Sequence, residues 1–184
     1  MVYRPRNRVY VPAPATATVV QLQDVKDHLR VTHNDEDYLI QQFIGAAVAI
    51  VERRTQRLLS QRQVVLRLPG LPTGFCPIEL PGGVVANVTS VLVGAVAVTG
   101  ALAYGDSPAQ LVPAAEWPAS DADGYPVVIT YQAGFVAAPA DLAIAVRMIA
   151  ADLYERRSSA EIGQLSPVPI SAEYLMAPHI IRAL

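Results

Sequence analysis

The apolar residues of this 184-residue chain change period twice, and that double switch restricts the fold more than any other feature. Leu22, Val25 and Leu29 recur at helical spacing. So do Leu39, Phe43, Ala46, Ala47, Ile50 and Val51, which are expected to form one buried stripe. From about residue 62 the pattern alternates with period two, as in Gln63-Val64-Val65-Leu66-Arg67-Leu68. After Pro139 helical spacing returns in Leu142, Ala145, Met148, Ile149, Ala151 and Leu153. A helix stripe needs a repeat near 3.6 and a strand face a repeat of 2, so neither pattern can serve as the other. The predicted fold class is α+β. Two long helices plus short N- and C-terminal helices form a helical core, and a small antiparallel β-sheet is inserted between them.

Punctuation residues set the boundaries. Pro5, Pro12 and Pro14 mark residues 1–18 as an extended arm. The main domain is expected over 19–158, with its β-rich insertion at about 62–134, and a linker and C-terminal helix or tail over 159–184. Within it, Gln21 to Arg30 reads as a short helix and Thr32-His33-Asn34 as a break. Asn34 is the expected cap of a helix over 35–57, with Asp35, Glu36 and Asp37 in its first turn and Arg53, Arg54 and Arg57 in its last. Both ends then complement the helix dipole. Further strands are expected at Ile78 to Leu80, Val85 to Leu92, Ala95 to Ala103 and Val127 to Tyr131. Pro139 suits the start of the second long helix, where its missing N–H costs nothing, and Arg156-Arg157 close that helix. A last short helix is expected from Ser171 to about Ala177.

Composition excludes several classes of function. Apolar residues make up 52% and charged residues only 16%, which excludes a largely disordered chain and leaves surface for partners to cover. Alanine (28) and valine (24) dominate, so cores and interfaces are built from small side chains. Thirteen of the 14 basic residues are arginine, whose planar fork suits protein interfaces, and Lys26 is the only lysine. The net charge of −2 argues against a DNA-coating role. Residues 1–67 carry 10 basic and 6 acidic groups (+4), whereas 68–184 carry 4 and 10 (−6), a polarity that suits head-to-tail association. Cys76 is alone, so an internal disulfide is impossible, and it reads as a small buried hydrophobe. Pro12 and Pro14 interrupt any signal-peptide core behind Arg4, Arg6 and Arg8. Residues 80–105 carry no charge, but Pro81, Gly82, Gly83, Asn87, Thr89 and Gly100 make them sheet rather than a membrane span.

Motifs of catalysis are missing. No G-x-x-x-x-G-K-[ST], G-x-S-x-G or H-E-x-x-H occurs, and His28, His33 and His179 are not at metal-ligand spacing. Asp35, Glu36 and Asp37 read as a helix N-terminus rather than a cation site. Asp27 and His28 are helix neighbours that point apart, so they do not form a base–carboxylate pair. Arg4, Arg6 and Arg8, interleaved with Tyr3 and Tyr10, read as a solvated or partner-binding terminus before a nucleic-acid contact. The expectation is a non-enzymatic protein with no catalytic residues, no cofactor and no metal.

Two separated stretches carry a resemblance. The first is Leu22-Gln-Asp-Val-Lys-Asp-His-Leu-Arg-Val31, then Asn34-Asp-Glu-Asp-Tyr-Leu-Ile40, running on through Ala46-Ala47 to Val51-Glu52 and Thr55-Gln56-Arg57. The second is Thr130-Tyr-Gln-Ala-Gly-Phe135, then Pro139, then the helix ending Leu153-Tyr-Glu-Arg-Arg157. In order and spacing over residues 20–158 they resemble the head–tail connector (adaptor) family of long-tailed bacteriophages and gene transfer agents. The resemblance implies a virion-neck protein assembled in the bacterial host cytoplasm, a ring expected to be twelvefold beneath the capsid portal. Its implied partners are the portal protein, a stopper or tail-completion protein and other copies of itself. DNA would pass through the channel without specific binding, and no membrane is involved. The family's C-terminal segment reaches the portal, which here makes Tyr174, Leu175, Met176, Ile180, Ile181 and Leu184 the candidate portal-binding residues. Arg53, Arg54, Arg57, Arg156 and Arg157 are the candidate subunit-interface residues. The rival readings are a stopper or tail terminator, a small α+β enzyme with an unrecognised site, and a DNA-binding module.

Overall fold

The computed structural model describes residues 2–15, 17–94, 96–105, 108–118, 126–156 and 169–181. The chain divides into two compact units, one helical (Ala17–Leu59 and Ala137–Ile180) and one built of strands (Met1–Thr16, Ser60–Val136 and Ile181–Leu184). The α+β class therefore holds. The strands are more extensive than a small sheet, with eight of them in two sheets among the described residues.

In the helical unit, α1 (Leu22–Leu29), α2 (Asp37–Thr55), α3 (Ala140–Glu155) and α4 (Ile170–Met176) pack on one another. The buried stripe of α2 is Ile40, Ile44, Ala47, Val51 and Thr55. This stripe is rotated by about one residue from the one expected. Leu39, Phe43 and Ile50 are half-buried and Ala46 is exposed. Because α2 is apolar on more than one side, the sequence offers two overlapping stripes, and packing against α3 selects between them. On α3 the buried set is Leu142, Ala145, Val146, Ile149, Ala150 and Ala151. Small alanines at these positions let the helix axes approach closely.

Polar bonds fix how α1 meets α2. The Lys26 ammonium is only 4% exposed and donates to Asn34 Oδ1 and Asp37 Oδ1, each at 2.6 Å. Asn34 is therefore not the side-chain cap of α2, which begins at Asp37 with no capping side chain. Its carbonyl does receive the Asp37 N–H at 3.2 Å. A buried ammonium is tolerated only when its donors are met, and here two oxygens meet it. The Tyr154 hydroxyl at the end of α3 donates to the Glu36 carboxylate, and the Tyr154 ring meets Phe43 edge-on with centroids 6.5 Å apart.

In the strand unit a five-stranded antiparallel sheet runs β1 (Val9–Pro12), β2 (Arg62–Leu68), β8 (Val127–Ala133), β4 (Val85–Val93), β5 (Val96–Ala97). A three-stranded sheet runs β3 (Ile78–Leu80), β7 (Ala109–Val112), β6 (Leu102–Tyr104). Alternation is strict on β8, where Val127, Ile129, Tyr131 and Ala133 are buried. They face the same side as Val64, Leu66 and Leu68 of β2, paired in register Val64↔Tyr131, Leu66↔Ile129 and Leu68↔Val127. Burial pushes the Tyr131 hydroxyl strongly up, with Tyr10 adding to the effect, and the hydroxyl donates to the Pro81 carbonyl at 2.8 Å. The expected strand Ala95 to Ala103 is broken into β5 and β6, which belong to different sheets. Strand β7 was not anticipated.

The N-terminal residues are not a free arm. Strand β1 adds to the edge of β2, Tyr3 bridges in parallel to Ile78, and Arg4 and Arg8 both pair with the buried Glu79 at 3.3 and 3.0 Å. The Ala13 N–H bonds the Gln63 carbonyl, so by antiparallel alternation residue 12 directs its amide position away from β2. Pro12 stands there, where the sheet edge needs no donor and a proline discourages further strand addition. Cys76 is half-buried rather than buried, and its carbonyl accepts the Trp117 indole N–H at 2.8 Å.

Replacing Ile44 with Asp should destabilise the protein by more than about 3 kcal/mol, because it buries an unpaired charge in the core of the helical unit. Ile50→Asp, at a half-buried position, should cost clearly less. Chemical denaturation of both variants checks this, and equal losses would return the stripe to Phe43 and Ile50.

Candidate docking surface

The candidate C-terminal residues form a coherent surface only in part. Helix α4 starts behind Pro169, whose carbonyl accepts the Glu173 N–H at 3.1 Å, and runs into a single 3-10 turn, Ala177–His179. Tyr174 is 77% exposed, Ile180 is exposed, and Leu175 and Ile181 are half-buried. Met176, at 2% exposed, instead joins Ala172 in anchoring α4 to the core. Leu184 lies outside the described residues. Ile170, not anticipated, is 65% exposed. It precedes Tyr174 by four residues and so shares its helix face.

Ile170, Tyr174, Ala177 and Ile180 line an open groove of about 380 Å³ together with Met176 at its floor and the Arg54–Glu173 pair. Arg54 Nη2 lies 3.4 Å from Glu173 Oε1, and both side chains are nearly half exposed. One cation and one carboxylate sit beside an otherwise apolar lining, so the groove suits a mostly apolar protein segment.

The arginines expected at a subunit interface take varied positions. Arg53 is exposed, and Arg54 belongs to the groove just described. Arg156 pairs with Asp152 at 2.9 Å, one turn back on α3. Arg57 is buried, and its Nε donates to the His179 carbonyl at 2.7 Å. Arg157 lies outside the described residues. His179 makes a second contact, its Nε2 lying 2.5 Å from Asp141 Oδ2 in the first turn of α3. Burial alone would raise the Asp141 carboxyl. The hydrogen bonds from His179 and from the Leu142 N–H, with the charge of His179, outweigh burial and hold it below the usual aspartate range. No spacing rule links residues 57, 141 and 179, so sequence reasoning could place each on its element but not bring them together.

Among the described residues there is no group of three or more His, Cys, Asp or Glu side chains placed to hold a metal, and no helix is long and apolar enough to cross a membrane. The residues that carry the family resemblance do structural work. Lys26, Glu36, Asp37 and Tyr154 join three helices, and Gly134, at φ 111°, ends β8 with its N–H on the Val84 carbonyl at 2.8 Å. A side chain would strain that backbone.

Because the folded-state pKa of Asp141 is lowered, the unfolded chain takes up its proton first as pH falls. The stability from this pair is therefore present above the unfolded value and lost as pH falls through the folded one. Acid titration followed by hydrogen exchange should show the α4 segment losing protection below the ordinary aspartate range near pH ~4. The loss should be smaller in Asp141→Asn.

Comparison with known proteins agrees with this picture. Residues 19–88 match the family described as phage gp6-like head-tail connector protein. No curated protein matches the chain. Among solved structures, a chain from the neck of an empty GTA particle computed with C6 symmetry matches with TM-score 0.80 and 27% identity, covering 96% of this chain and 97% of that one. A chain from the virion of a native gene transfer agent particle matches with TM-score 0.77 and 26% identity, covering 97% of each. A chain from the neck of a native GTA particle computed with C12 symmetry matches with TM-score 0.73 and 26% identity, covering 95% and 97%. Residues 19–88 thus resemble the phage gp6-like head–tail connector proteins, and over nearly its whole length the chain has the fold of gene-transfer-agent neck chains.

Proposed function

We propose that this chain is a structural head–tail connector of the virion neck, assembling as a ring beneath the portal and extending the DNA channel toward the stopper and tail. It is a structural protein and not an enzyme. The observation that carries the reading is the full-length likeness to a GTA neck chain, with residues 19–88 matching a connector family independently. Twelve copies are favoured, since related neck structures are described with C12 and C6 symmetry and a twelvefold ring contains both. A cyclic ring joins two different faces of each copy, for which the opposite charge of the two chain halves is suited. A low overall charge of −2 lets DNA pass such a ring without being gripped.

The portal contact is assigned to the groove around Tyr174 and Ile180, because apolar side chains exposed beside a concave surface mark a protein interface. Tyr174→Asp combined with Ile180→Asp should abolish binding to portal-bearing capsids while leaving circular dichroism and melting close to those of the parent, both side chains being exposed. Deleting 171–184 should also abolish it. Electron microscopy of capsids mixed with the parent protein should show a ring of added density under the portal. Folded protein that adds no density would overturn the connector reading, and a double variant that binds like the parent would remove the groove from it.

A further inference from the structure

We infer that Asp141, His179 and Arg57 form a latch that gives the C-terminal segment its docking shape, so that docking is controlled by three side chains outside the groove. The control of docking rests on the portal reading above. The latch itself does not.

Helix α4 has seven residues and buries only Ala172 and Met176. A helix this short is marginal in water without tertiary support. At its start Pro169 presets the backbone. The Arg54–Glu173 pair on its flank is half exposed and holds little. Its far end is held differently. His179, the last residue of the 3-10 turn, is gripped from two directions. Its carbonyl accepts Arg57 Nε at 2.7 Å from 122 positions away, and its ring nitrogen meets Asp141 at 2.5 Å from 38 positions away.

Both anchors stand on fixed ground. Arg57 is buried just beyond the left-handed turn at Gln56 that ends α2. The second carboxylate oxygen of Asp141 accepts the Leu142 N–H at 2.9 Å at the start of α3. The turn carrying His179 is therefore the element being placed, and the next residue, Ile180, is a wall of the groove. Release of His179 would free Ile180 from the face that Ile170 and Tyr174 share. Ordering that segment would then have to be met from the binding free energy itself. A segment latched one tenth of the time would bind about tenfold more weakly.

The test uses the full-length chain and two readouts. Hydrogen exchange of amides 171–180 reports the latch without any partner, and binding to portal-bearing capsids reports docking. His179→Leu should raise exchange across 171–180, leave α2 and α3 protected, and weaken binding about tenfold. His179→Gln keeps an N–H donor for Asp141 and should restore both readouts toward the parent. Unchanged exchange in His179→Leu would overturn the latch. Raised exchange with parental binding would overturn its control of docking. Should His179→Leu lose protection throughout the helical unit, Asp141→Ala removes the ring's partner from the α3 side and is judged by the same criteria. If the parent itself does not bind capsids, the portal reading fails, and exchange still decides whether the latch exists.

Discussion

The helical unit depends on one buried ammonium. Lys26 reaches from α1 to the side-chain oxygens of Asn34, in the connection between the helices, and of Asp37, the first residue of α2, and so holds α1 against the start of α2. Remove that charge and two polar groups at the mouth of α2 lose their partner, at a cost of about 1–3 kcal/mol. The Tyr154–Glu36 bond secures the same corner from α3. With three helix ends tied at one point, the other end of α2 is free to receive a different load. There Arg57 and the Glu52 carboxylate, which accepts the Leu59 N–H, set the chain's exit. The C-terminal turn is seated at that exit.

The strand unit obeys a separate constraint, the closure of edges. Sheets leave unpaired backbone at their margins, and such margins invite further strands. Here the N-terminal residues cover two of them, β1 lying along β2 and Tyr3 along β3. Glu79, buried between Arg4 and Arg8, converts what reads as a loose basic arm into a fastener. Two of the three arginines that suggested a nucleic-acid contact are thereby committed within the chain. This fits the proposed ring subunit, through which DNA would pass without being gripped.

How much of this the sequence revealed depended on whether the signal was local. Periodicity and punctuation located α1, α2, α3, α4, β2, β3, β4 and β8 to within a few residues, since each is fixed by its own apolar pattern and its own Pro, Gly or charged ends. Signals failed where partners are distant. Ala109-Gln-Leu-Val112 is too short to announce a strand and becomes β7 only because β3 and β6 flank it. Asn34 has the right chemistry for a cap, but Lys26 competes for its side chain and wins. The face of α2 could not be chosen from α2 alone, as both Ile40/Ile44 and Phe43/Ile50 make an apolar stripe. At the candidate docking surface, Tyr174 and Ile180 were legible as apolar residues near the C-terminal end of the sequence. Ile170 was hidden at a linker boundary, and the meeting of Arg57, Asp141 and His179 leaves no trace in spacing.

The burial of Lys26 has a practical consequence for anyone mapping the assembled neck. It is the sole lysine, and its nitrogen is occupied by two oxygens at 2.6 Å. Reagents that join or tag side-chain amines will find no accessible lysine on the native subunit, and the absence of lysine cross-links says nothing about what it touches. Carboxylate-directed or photoreactive linkers are the appropriate probes. Labelling at Lys26 in turn becomes a direct measure of how often the α1–α2 corner opens.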